Sequence, residues 1–144
     1  MIAIDTNVLL RYLLDDDKSQ SAKATKLISG SKPVLITDVV LTEAIWTLKG
    51  SKYKLDKEGI ISVINALFEE PNIQFEDGQT IWRALNDYRK ADAVKVGNKK
   101  KMADFPDALI VNKSKFHADL NKEPFGGLFT FDMAAQEIEG TKKT

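Results

Sequence analysis

Short apolar runs alternate with longer stretches of helical periodicity along the chain, and this alternation constrains the fold more than any other feature. Ile2-Ala3-Ile4, Val34-Leu35-Ile36, Ile73-Gln74-Phe75 and Leu128-Phe129-Thr130-Phe131 read as four strands. Amphipathic segments lie between them. Val8 to Leu14 reads as a mostly buried helix. After the acidic start Asp15-Asp16-Asp17, Ala22, Ala24, Leu27 and Ile28 form a weak apolar stripe that stops at Gly30. Val40, Leu41, Ala44, Ile45 and Leu48 recur at helical spacing behind an N-cap at Thr37 or Asp38, and Gly50 closes that helix. Ile60, Ile61, Ile64, Leu67 and Phe68 share one face of a helix that Asp56 caps and Pro71 ends. Ile81, Leu85 and Tyr88 mark a fifth helix. Asp104-Phe105-Pro106-Asp107 opens a sixth, since proline is tolerated in a first turn. The stretch from Ala91 to Met102 has weak periodicity, Gly97 and three consecutive lysines, and reads as a loop. Asp132 starts a short last helix. Strands alternating with helices predict an α/β fold around a parallel sheet, and 144 residues fit one domain over 1–144.

What the chain lacks narrows its chemistry. With no cysteine and a single histidine, His117, it can form no disulfide and no structural zinc site of the usual Cys/His kind. His117 reads as a helix-end or surface residue, and a reducing cytoplasm is the expected location. The N-terminal run has no basic lead-in and is interrupted by Asp5 and Arg11, so it does not read as a signal peptide. The most apolar stretch, Val34 to Leu48, is too short and too charged to span a bilayer. The formal net charge is zero, so any grip on a polyanion must come from a local patch. One exists: from Arg83 to Lys101 there are seven basic residues against two acidic ones. Within it Lys95, Lys99, Lys100 and Lys101 are candidates for holding a nucleic-acid backbone, because the patch leads directly into Asp104 and Asp107. Arg11, on an otherwise apolar helix, is expected to pair with Asp15 or Asp16. Trp46 and Trp82 are expected in the core or in a dimer contact.

Four acids carry the functional argument. Asp5 follows the first strand and Asp132 follows the last, and ligand sites in open parallel sheets form at the carboxyl ends of strands. If those strands are near neighbours, the two carboxylates share one crevice. Glu43 lies mid-helix on the flank of an apolar face, where a partly buried carboxylate is costly unless paired or bound to a cation. Asp107 sits in a helix first turn, which the helix dipole favours. Each aspartate taken alone is equally explained as a helix cap, with Asp104 and Asp107 forming one capping arrangement. Their joint placement is what caps do not require. Clustered carboxylates suit Mg²⁺ or Mn²⁺, which prefer oxygen ligands and can present an activated water to a phosphodiester without any histidine base.

The stretches Ile2-Ala3-Ile4-Asp5-Thr6-Asn7-Val8-Leu9-Leu10-Arg11-Tyr12-Leu13, Val39-Val40-Leu41-Thr42-Glu43, Asp104-Phe105-Pro106-Asp107-Ala108-Leu109-Ile110 and Phe129-Thr130-Phe131-Asp132 together resemble the PIN-domain nucleases. Within them the sequence resembles the VapC-type toxins of prokaryotic toxin–antitoxin pairs. The resemblance implies a three-layer α/β/α fold with a central parallel sheet, and Mg²⁺- or Mn²⁺-dependent endoribonuclease activity. It also implies a homodimer and an antitoxin that inserts a segment across the site. It assigns metal binding to Asp5, Glu43, Asp107 and Asp132. Asp104 matches an accessory acid, and Asn7 and Thr130 match polar positions that orient ligands and waters. The lysine-rich stretch between Tyr88 and Asp104, and the segment from Phe116 to Gly127, look longer than the family pattern. Alternatives within the resemblance are a housekeeping nuclease of RNA maturation and a non-catalytic RNA- or protein-binding module. A phosphoryl-transfer enzyme with Asp5 as acceptor fits less well, because position 7 is Asn where such enzymes want a second aspartate.

Overall fold

The computed structural model describes residues 1–144. The chain forms two compact units, Met1–Gly78 and Gln79–Thr144.

The first unit is built on three parallel strands, β1 (Ile2–Ala3), β2 (Val34–Ile36) and β3 (Ile73–Phe75), in the order β1-β2-β3. Val34 sits opposite both Ile2 and Ile73. Val34 and Ile36 of the central strand are fully buried, as an apolar run in a helix-covered parallel sheet requires. Helices α1 (Thr6–Leu14) and α2 (Lys18–Ile28) connect β1 to β2, and α3 (Asp38–Lys49) and α4 (Lys57–Glu69) connect β2 to β3. Each helix begins on an oxygen-bearing side chain that accepts an otherwise unpaired N–H of the first turn: Asp5, Asp17, Thr37 and Asp56. The apolar periodicity turns inward as expected, with Leu41, Ala44, Ile45 and Leu48 of α3 and Ile60, Ile64 and Leu67 of α4 essentially without exposure. Asn72 ties the turn before β3 to the end of α2, its amide donating to the carbonyls of Ile28 at 2.8 Å and Lys32 at 2.6 Å. Arg11 pairs with Asp16 at 2.9 Å, and this hydrogen bond holds the Asp16 carboxyl below its ordinary range. No helix of the protein is long and apolar enough to cross a membrane.

The second unit contains α5 (Gly78–Lys90), α6 (Phe105–Leu120) and two small sheets. Tyr88 of α5 meets Phe105 of α6 edge to face, centroids 6.0 Å apart, and both rings are buried. Asn112, also buried, donates to Asp87 Oδ2 and to the Ala108 carbonyl, each at 2.8 Å. Asn112→Ala leaves a half-buried carboxylate without its donor. It is expected to lower the unfolding free energy by about 1–3 kcal/mol, measured by urea denaturation. A change of only a few tenths would show that water replaces the amide.

Three expectations are corrected here. The stretch from Ala91 to Met102 is not a loop but contains an antiparallel hairpin, β4 (Val94–Val96) and β5 (Lys99–Lys101), with Val96 opposite Lys99. Its two-residue turn is Gly97-Asn98, with Gly97 at φ +63°, a position that glycine fills without strain. The short helix expected after Asp132 is a single 3₁₀ turn, Ala135–Glu137, followed by a strand, β7 (Thr141–Lys143), that pairs in parallel with β6 (Leu128–Thr130). The fourth predicted strand thus belongs to a two-stranded sheet with β7. Finally, of the two places expected for Trp46 and Trp82, core or dimer contact, the core is ruled out, since they are 62% and 46% exposed. The inward side of α3 is already filled by Leu41, Ala44, Ile45 and Leu48, which leaves Trp46 on the outside.

Candidate active site

Every strand of the parallel sheet runs into an acid at its carboxyl end: β1 into Asp5, β2 into Asp38 after Thr37, and β3 into Glu76. Asp5 is the N-cap of α1, its Oδ1 accepting the Val8 N–H at 2.9 Å. The next residue, Thr6, donates its hydroxyl to Glu43 Oε2 at 2.6 Å. This bond spans 37 positions of sequence and draws the carboxylate of α3 to the start of α1. Asp5 and Glu43 are both exposed. Each commits one carboxylate oxygen to the protein, and its second oxygen, Asp5 Oδ2 or Glu43 Oε1, hydrogen-bonds no protein group. The exposure of Glu43 corrects the expectation of a partly buried carboxylate, so desolvation gives no reason for a counter-ion there. The Thr6 bond, not burial, sets its position. Asn7 is exposed beside Asp5 and shares with it, Val8, Arg11 and Gln20 a cavity of about 270 Å³.

In the second unit Asp104 and Asp107 form the expected capping arrangement at the start of α6. Asp107 Oδ2 accepts the Asp104 N–H at 2.8 Å, and both residues are half-buried. Asp132 is exposed, and its Oδ1 accepts the N–H groups of Ala134 at 2.8 Å and Ala135 at 3.2 Å. Thr130 fixes the backbone there, its hydroxyl accepting the Asp132 N–H at 3.0 Å. Lys95, Lys99, Lys100 and Lys101 are all exposed on the hairpin, and none is ion-paired. His117 is exposed in the last turn of α6.

The candidate acids therefore divide between the units, Asp5 and Glu43 in the first and Asp104, Asp107 and Asp132 in the second. No group of three or more His, Asp or Glu side chains is arranged to hold a metal ion. The Asp5–Glu43 pair nonetheless fits a hard divalent cation by its chemistry. Mg²⁺ is commonly held by one or two carboxylates and completes its shell with water and substrate phosphate. Sequence reasoning missed two residues of this corner. Thr6 gave no signal beyond its place next to Asp5. Glu76, which accepts the Asp38 N–H at 3.3 Å, could have been found because it follows β3 as Asp5 follows β1.

Fold and site define an α/β protein with acidic side chains at the carboxyl ends of a parallel sheet. Residues 2–138 match the PIN domain, and the chain belongs to that family of nucleases, which is linked generally to RNA processing. A search of the curated proteins gives no match.

Proposed function

We propose that the protein is a Mg²⁺- or Mn²⁺-dependent endoribonuclease, one catalytic domain over residues 1–144, with Asp5, Glu43, Asp107 and Asp132 as its metal-binding acids. The observation that carries the reading is the Thr6–Glu43 bond. It holds a carboxylate from mid-helix next to Asp5 at the end of β1, a placement that helix capping does not call for. The family and the all-oxygen donor set point the same way. When bound, the cation would neutralise charge at the scissile phosphate and make a water easier to deprotonate, and so a better nucleophile. The chain's own part is positional. Val8 N–H holds one oxygen of Asp5 and Thr6 Oγ1 one oxygen of Glu43, and the other oxygen of each has no protein hydrogen-bond partner. Asp104 and Thr130 steady Asp107 and Asp132, and Asn7 offers a further polar group beside Asp5. The hairpin lysines Lys95, Lys99, Lys100 and Lys101 hold the RNA backbone.

In the finer reading the protein is a VapC-type toxin in the cytoplasm, a homodimer neutralised by a cognate antitoxin. What supports a protein partner is α3, which exposes Val39 at 66% and Trp46 at 62% on either side of Glu43, around a cavity of about 320 Å³.

The test is cleavage of end-labelled RNA. Cutting is expected only with Mg²⁺ or Mn²⁺, to stop with EDTA, and to leave 5′-phosphate and 3′-hydroxyl ends. Undiminished cutting by nuclease-free protein in excess EDTA would sink the mechanism. Cyclic 2′,3′-phosphate ends would do the same, because they require acid–base chemistry at the 2′-hydroxyl.

A further inference from the structure

The second unit has a cavity of about 420 Å³ lined by Val96, Lys101, Phe131, Asp132 and Met133. Phe131 is 84% exposed and makes no ring contact, and its neighbours Phe129 and Met133 are also exposed. A bare aromatic ring forgoes the burial that would stabilise it, and a cluster of such side chains marks a binding surface.

The hairpin register says which cations face that ring. Residues directly opposite in an antiparallel pair project to the same side. Val94 with Lys101 and Val96 with Lys99 therefore share one face, and Lys95 with Lys100 share the other. Val94 and Val96 are half-buried, so their face turns toward the rest of the unit and carries Lys99 and Lys101 with it. Val96 and Lys101 do line the cavity with Phe131. Lys95 and Lys100 lie directly opposite each other with no anion between them, an arrangement that opposes the hairpin's own pairing. That pair lies on the hairpin face away from the cavity, which Lys101 lines and Lys95 and Lys100 do not. Ring, cation and cavity together suit an unstacked base joined to a phosphate. A duplex keeps its bases stacked on one another and presents no free face to the ring.

We propose that this cavity is a cradle for one nucleotide of single-stranded RNA. The Phe131 ring stacks on the base and Lys101 holds the adjoining phosphate. Asp132, the one acid of the cavity, has its Oδ1 engaged by the Ala134 and Ala135 N–H groups. The inference rests on the nuclease reading, to which it adds a stacking residue and a phosphate contact on the substrate's path.

Binding without cleavage separates the two. In EDTA, full-length protein is titrated into a fluorescent single-stranded RNA and into a matched duplex, with anisotropy as the readout. Phe131→Ala is expected to weaken single-strand binding about 5- to 140-fold, the range that one base–ring stack gives, with little effect on the duplex. Phe131→Trp is expected to restore it. Lys101→Ala is expected to reduce the slope of log K against log salt by about 0.7, which Phe131→Ala leaves unchanged. Lys95→Ala is expected to cost less affinity than Lys101→Ala. Wild-type affinity in Phe131→Ala overturns the cradle, as does equal loss for duplex and single strand. Unchanged RNA affinity with lost self-association in sedimentation would instead make the ring a protein contact. Failure of metal-dependent cleavage, with these binding differences intact, would count against the nuclease reading alone.

Discussion

Asp5→Asn is expected to leave the protein folded and to lower RNA cleavage about a hundredfold or more. Asparagine keeps the capping bond, since its Oδ1 can accept the Val8 N–H as Asp5 does at 2.9 Å, and the two residues rank together as N-caps. The melting temperature should therefore stay where it is. What disappears is the negative charge and the second oxygen, which has no protein hydrogen-bond partner. Groups that only support a metal ligand typically cost 10–100-fold when removed, so loss of a ligand should cost at least as much. Glu43→Gln should behave alike, because glutamine still accepts from the Thr6 hydroxyl. Asp107→Asn and Asp132→Asn should also abolish cutting, with a milder loss for Asp104→Asn. Wild-type cleavage by a well-folded Asp5→Asn protein would return Asp5 to the role of a cap and remove the centre of the assignment.

The largest loss of stability is expected from Phe105→Ala. Phe105 is fully buried at the first position of α6 and packs edge-on against Tyr88, which is 1% exposed. Truncation removes the ring's burial and leaves a cavity, together about 3–5 kcal/mol. The lost aromatic pair falls within that range or adds up to about 1.5 kcal/mol. Since small domains are stable by only about 5–15 kcal/mol, the variant should be largely unfolded at moderate urea. The one-domain reading makes a further demand on the same curve: a single transition by fluorescence and by circular dichroism. Two separated transitions, with only one moved by the substitution, would mean that Met1–Gly78 and Gln79–Thr144 unfold independently.

Elements whose local chemistry and burial agreed were readable from the sequence. Helices α3 and α4 have an N-cap, a full apolar face and a stop, and they appear where the pattern put them. Of the three strands of the parallel sheet, β1 and β2 lie in short apolar runs and β3 alternates, and all stand where those patterns put them. Strand β7 carries Thr141, Lys142 and Lys143, with no apolar side chain to reveal it, and its pairing comes wholly from the backbone of β6. The hairpin was hidden differently. Its lysines drew attention as charge, yet Val94, Val96 and the Gly97-Asn98 turn are a hairpin signature at two-residue spacing. In β6 and the residue after it, Leu128 and Thr130 are half-buried while Phe129 and Phe131 are exposed, so the most hydrophobic pair is the one in solvent. Of the candidate acids, Asp5 and Asp132 stand out in the sequence because they follow strands and Asp107 because it opens a helix, whereas Glu43 lies mid-helix with no such local mark. The Thr6 hydroxyl that orients Glu43 was not legible either, since a bond across 37 positions leaves no local pattern.

The all-parallel order β1-β2-β3 also governs how the first unit comes together. No two of its strands are joined by a tight turn, and each pairing must wait for a crossover containing two helices. Loop entropy is lost before the strand contacts return anything, which is the situation that slows folding. Helical turns nucleated on Asp5, Asp17, Thr37 and Asp56 are the local events available first. The Thr6–Glu43 bond, which joins α1 to α3, is thus expected to form late, when α3 has docked and the chain has little freedom left.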